Sequence, residues 1–142
     1  MKIKRFNKTT VAQREPGAPN VYIHYGGSFA FNQPASILLG AVPDAKVYIE
    51  VIQDEENPKD WFISITNEDT GILLRPGKKS GAFSFNSGII AKELLKTLPK
   101  SEIGTSAKTA NLLISSSPQE FDGMRLWPII TSSYKPRIAK KP

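Results

Sequence analysis

The sequence predicts an α+β domain, mostly β, in which a ββαββ unit is duplicated within one compact domain. Three observations carry this. Gly27-Ser28-Phe29-Ala30-Phe31-Asn32 returns 54 residues later as Gly81-Ala82-Phe83-Ser84-Phe85-Asn86, with four of six positions identical, and self-similarity of this kind marks a structural repeat. Each copy is followed by a helix-like segment, a strand, a polar turn and a second strand holding one of the chain's two tryptophans. The composition, 39% hydrophobic and 23% charged over 142 residues, is that of a folded domain, one that buries about two thirds of its unfolded surface. The expected organisation is a basic arm over 1–20, a first unit over 21–71, a second over 72–133 and a basic tail over 134–142.

Within the first unit, Val21, Ile23 and Tyr25 alternate with Tyr22 and His24, the period-2 pattern of a half-buried strand. Gly26-Gly27 supplies a turn into a short strand over 28–31, with Phe29 and Phe31 on one face. Asn32 is a helix N-cap by residue type, Pro34 suits the first turn, and Gly40 suits a left-handed end. Strands over 46–53 and 61–66 are joined by Asp54-Glu55-Glu56-Asn57-Pro58-Lys59-Asp60. These carboxylates match no calcium-loop spacing, and a Pro-containing turn needs polar residues in any case.

The second unit opens with Ile72-Leu73-Leu74-Arg75, followed by the Pro76-Gly77-Lys78-Lys79-Ser80 turn and the second phenylalanine pair. Ser87 caps a longer helix whose apolar face is Ile90, Ala91, Leu94, Leu95 and Leu98. Strands over 111–115 and 126–130 complete it.

Charge is distributed unevenly. The net charge is +6, yet residues 1–14 hold Lys2, Lys4, Arg5, Lys8 and Arg14 without an acid, and residues 134–142 hold Lys135, Arg137, Lys140 and Lys141 without one. The intervening chain has ten basic and 13 acidic groups. Two basic arms thus flank a mildly acidic body, a layout suited to phosphate backbones because each neutralised phosphate releases counterions.

Several chemistries are excluded. With no cysteine and one histidine, His24, the chain holds no disulfide, no thiolate metal site and no multi-histidine site. It has no phosphate-binding Gly-rich motif and no Gly-x-Ser-x-Gly elbow. The expectation is a non-enzyme with no cofactor, no metal and no small-molecule substrate. No stretch approaches the ~20 apolar residues of a membrane span, and residues 1–6 lack a secretory apolar run, so a cytoplasmic protein without a membrane partner is expected.

Residues 21–65 resemble the AbrB-type swapped-hairpin family. The matching places are Gly27–Asn32, Pro34, Leu38-Leu39-Gly40, Pro43-Asp44-Ala45 and Val47–Glu50; the second copy repeats the plan less faithfully over 72–131. Two copies in one chain are similar to MraZ-type tandem members. The resemblance implies DNA binding by interlocked hairpins, formed within the chain or by homodimerisation. Where that family carries arginines near the first strand and its Gly turn, this chain has Tyr22, His24, Tyr25 and Ser28, so no binding residue is transferred. In architecture alone, four strands then a helix is also similar to the Whirly-type single-strand-binding repeat. Single-strand binders combine a basic groove with aromatic platforms, for which Tyr22, Tyr25, Phe29, Phe31, Trp61, Phe83, Phe85 and Trp127 are the available rings.

The leading expectation is therefore a DNA-binding protein, regulator-like or single-strand-binding. Its candidate binding residues are the nine arm cations, Arg75, Lys78 and Lys79 in the Pro-Gly turn, and Tyr22 and Tyr25. The alternative is an assembly component of a phage or mobile element, its arms threading over acidic neighbours.

Overall fold

In the computed structural model, the described residues are 2–3, 17–41, 46–67, 70–77, 81–99 and 108–134. They form β1 (Asn20–His24), β2 (Ser28–Phe31), α1 (Gln33–Leu38), β3 (Tyr48–Gln53), β4 (Trp61–Thr66), β5 (Ile72–Leu73), β6 (Arg75–Pro76), β7 (Phe83–Asn86), α2 (Gly88–Lys96), β8 (Thr109–Ile114), β9 (Gln119–Phe121) and β10 (Met124–Ile130), followed by a 3-10 turn at Thr131–Ser133. The fold is mostly β, as the sequence predicts.

All ten strands belong to one antiparallel sheet of order β5-β3-β4-β10-β8-β1-β2-β7-β6, with β9 paired to β10. The two ends of that path, β5 and β6, are separated by the single residue Leu74. Ile72 and Leu73 pair with Ile49 and Tyr48 of β3, whereas Arg75 and Pro76 pair with Ser84 and Phe83 of β7. One bent stretch therefore joins both ends of the sheet into a nearly closed barrel. Leu74 at the bend is buried and donates its N–H to the Val47 carbonyl at 2.9 Å.

Strand alternation fills the interior. Val21, Ile23, Phe29, Phe31, Phe83, Phe85, Leu112, Ile114, Trp127, Ile129, Trp61, Ile63 and Ile49 are all buried in one cluster, as period-2 patterning on a one-sided sheet requires. Phe29 and Phe85, partners in the β2–β7 register, stack with ring centroids 4.4 Å apart.

Two helices pack against the barrel. Asn32 caps α1 by accepting the Ala35 N–H at 3.0 Å, and Gly40 ends it at φ +74°. Ser87 caps α2 through Ile90 N–H. Starting beside the β1–β2 turn, where Gly27 O accepts the Ser87 N–H at 2.8 Å, α2 runs to Thr97, whose hydroxyl accepts the Trp61 indole N–H at 3.0 Å. Ala91, Leu94, Leu95 and Leu98 face the core.

Two expectations are corrected. Tyr25 does not continue the inner face of β1: it sits in the turn, 48% exposed, because the His24 carbonyl accepts the Gly27 N–H at 2.9 Å and folds the chain over. A separate strand, β9, precedes the last one, through a hairpin turn with Asp122 at φ 52° and Gly123 at φ 78°.

Candidate nucleic-acid interface

Because Val21 and Ile23 point inward, Asn20, Tyr22 and His24 point out. The pairings carry this outer level across the sheet. Asn111 of β8 lies opposite Tyr22, Tyr22 opposite Ala30, Ala30 opposite Ser84, and Ser84 opposite Arg75. Neighbouring strands are about 4.8 Å apart, so Tyr22 and Arg75 stand about 14 Å apart in this row. The two positions between them carry only a methyl and a hydroxymethyl group. The row is thus a shallow saddle with a half-exposed phenol at one side (46%) and a guanidinium at the other.

The next outer level is polar and uncharged: Thr109 lies opposite His24, and Ser28 opposite Asn86. His24 Nδ1 accepts the Gly26 N–H at 3.0 Å, and its ring lies 4.9 Å from that of Tyr25. The turn is held from two sides. Tyr25 N–H donates to the Lys108 carbonyl at 2.8 Å, and Gly27 abuts α2 so closely that a Cβ there would lie 2.9 Å from Gly88 N. Tyr25 is therefore presented on a braced turn rather than on a loose loop.

Beside Arg75 the bend in the closing strand opens a cleft of about 330 Å³, lined by Ile72, Leu73, Arg75, Ser84, Phe85 and Asn86. There β5 has left β7 to pair with β3.

The electrostatics are segregated. Among the described residues, β1, β2, β6, β7 and β8 carry no acid, while Arg75 and Lys108 border their face. Glu50, the Asp54–Asp60 loop, Glu120 and Asp122 lie instead on β3, the β3–β4 turn and the β9–β10 hairpin; Glu93 is on α2. In the β3–β4 turn, Asp54 Oδ1 accepts the N–H groups of Glu56 and Asn57 at 2.9 and 3.4 Å, so that carboxylate closes its own turn.

Of the sequence-predicted site residues, Tyr22 and Arg75 share one row, with Tyr25 on the adjoining turn. Lys2 is exposed. Lys4, Arg5, Lys8, Arg14, Lys78, Lys79, Lys135, Arg137, Lys140 and Lys141 lie outside the described residues. The other rings considered as platforms, Phe29, Phe31, Phe83, Phe85, Trp61 and Trp127, are at most 8% exposed and belong to the core. Sequence reasoning missed Ala30 and Ser84 as the saddle floor. Their place midway between the paired phenylalanines of each repeat was the available signal, since both phenylalanines face inward and the residue between them must face out.

No family model matches the chain, and no curated protein or solved structure matches it. No helix among the described residues is long and apolar enough to cross a membrane.

Proposed function

We propose that this chain is a non-enzymatic DNA-binding protein that lays a single strand across the outer face of β8, β1, β2, β7 and β6. The observation carrying the reading is the row from Tyr22 to Arg75 on a face without acids. Single-strand binders pair aromatic platforms, on which any base stacks, with cations that track the backbone. Tyr22 and Tyr25 supply the platforms, and Arg75 the nearest fixed cation. Ala30 and Ser84 leave room for the strand to approach the sheet. A duplex favours a helix or ribbon that fits its groove; a shallow saddle with half-exposed rings suits unstacked bases better. The two basic arms add sequence-independent affinity.

The same reading includes duplication of a ββαββ unit, in keeping with the AbrB-type resemblance. Supporting it, the strand pairings fall into matched sets. The β1–β2 pair corresponds to β6–β7, β3–β4 to β8–β10, and β1–β8 to β5–β3. Ala30 and Ser84, equivalent positions in the repeated hexapeptide, are paired with each other across β2–β7.

The test is fluorescence anisotropy of labelled single- and double-stranded DNA over a salt series, with the full chain and a variant lacking 1–14 and 135–142. Single-strand preference with a salt slope that shrinks in the truncated variant is expected. Absence of binding to either form at low salt overturns the proposal and leaves protein assembly as the working function.

A further inference from the structure

We propose that a groove on the side of the barrel away from the Tyr22 row seats the basic arm, residues 1–8, of a second copy of this chain. The groove has a volume of about 550 Å³ and lies against the outer face of β3, β4 and the β9–β10 hairpin. Its floor is apolar: Ile52, Phe62 and Leu126 lie there beside Phe121. Phe121 is 66% exposed, and Met124, opposite it in the hairpin register, is 39% exposed. Phe121 thus stands exposed at the mouth of an apolar-floored groove, where a partner's apolar side chains can cover it. Along the rim stand Glu55 and Glu56, both exposed, and no basic residue lines the groove.

Such a site selects a segment that is both basic and apolar. Met1-Lys2-Ile3-Lys4-Arg5-Phe6-Asn7-Lys8 provides four cations, three large apolar side chains and no acid. The tail over 134–142 is equally basic but follows its tyrosine with only one large apolar residue, Ile138, and so matches the floor less well. In the single chain Ile3 remains 73% exposed, so its apolar surface is left for another molecule to cover. Charge complementarity across the rim supplies steering, and Phe121 against Ile3 and Phe6 supplies the buried area. Because arm and groove are different surfaces, the contact is head-to-tail, and each added copy still offers a free arm and a free groove.

The arm is shared with the DNA reading, in which it meets phosphates, but the test contains no nucleic acid, so the two readings fail separately. Molar mass is measured by light scattering after size exclusion, over a concentration series at low and high salt. The full chain is expected to associate with rising concentration at low salt and to dissociate at high salt, as screening weakens the rim. Phe121→Ser, at an exposed position that leaves the core intact, and deletion of 1–8 should each weaken association at least ~10-fold, the loss typical of an interface anchor. A mixture of these two variants should form a 1:1 dimer and nothing larger, because one retains only its arm and the other only its groove. The charge exchange Glu55→Lys and Glu56→Lys on one copy should be rescued by Lys4→Glu and Arg5→Glu on the other. A full chain that stays monomeric throughout, an arm-deleted chain that associates like the full one, or a mixture that stays monomeric would each overturn the proposal.

Discussion

The Ser36 hydroxyl accepts the backbone N–H of Phe83 at 3.1 Å, across 47 residues of sequence, while donating to the Asn32 carbonyl at 3.0 Å. Ser36 is fully buried. One side chain on α1 thus satisfies the first residue of β7 and ties the helix to the barrel wall. Ser36→Ala leaves the Phe83 N–H buried without its partner, a cost of about 1–3 kcal/mol. Urea unfolding should show a lower midpoint at unchanged slope; an unaltered midpoint would mean that water replaces the hydroxyl.

Gly27 adopts φ +118° and faces the start of α2, with the nearest backbone atom 2.9 Å from where a Cβ would sit. Gly27→Ala combines an unfavourable backbone region with a clash against backbone, neither relieved by side-chain movement. A loss of roughly 2 kcal/mol is expected, read as a thermal midpoint lower by roughly 4–8 °C. Gly40→Ala, at φ +74° with open space around it, should cost only the backbone part, so it separates the two contributions.

Leu94 is fully buried on the inner face of α2. Leu94→Asp puts an unpaired carboxylate in the core, which costs more than about 4 kcal/mol. Loss of the cooperative thermal transition is expected, whereas a midpoint equal to that of the parent would contradict the placement of this helix face.

Tyr22→Ala and Arg75→Ala should act differently on single-stranded DNA. Removing a stacking platform costs about 1–3 kcal/mol of binding without changing the salt slope. Removing a phosphate contact reduces the slope by about 0.7. Ser84→Glu, between the two, places a carboxylate on the saddle floor and should weaken binding more than either at low salt. Anisotropy titrations at several salt concentrations distinguish the three, and equal affinities for all variants would move the interface elsewhere.

Local elements were legible because their signals are local. The caps at Asn32 and Ser87, the α2 apolar face and the alternation in β1, β2 and β7 each lie within a few residues of sequence. The β9–β10 hairpin lies outside the predicted strands although Asp122-Gly123 is a strong turn signal, because the three residues of β9 are all exposed and show no buried alternation. Closure of the barrel was not legible. It depends on Leu74 handing the chain from β3 to β7, and pairing between distant strands leaves no local trace. Likewise Tyr22 and Arg75 were each named from sequence, but their common row exists only through the β1–β2–β7–β6 register. Period-2 alternation alone carries Tyr25 onto the buried face of β1, whereas the two glycines after it turn the chain one residue earlier.

The stretch around Leu74 has a kinetic consequence. Each of its halves holds one neighbour by only two residue pairs, while β1 holds β8 by five along its length. The β8–β10 seam is held by two pairs as well, so amide exchange should be earliest at residues 72–75 and along the side of β8 that faces β10, and latest where β1 and β8 pair. In that sense the ring has a clasp, and Arg75 rides on it: the cation proposed to meet the nucleic acid sits on one of the seams of the wall held by the fewest pairs.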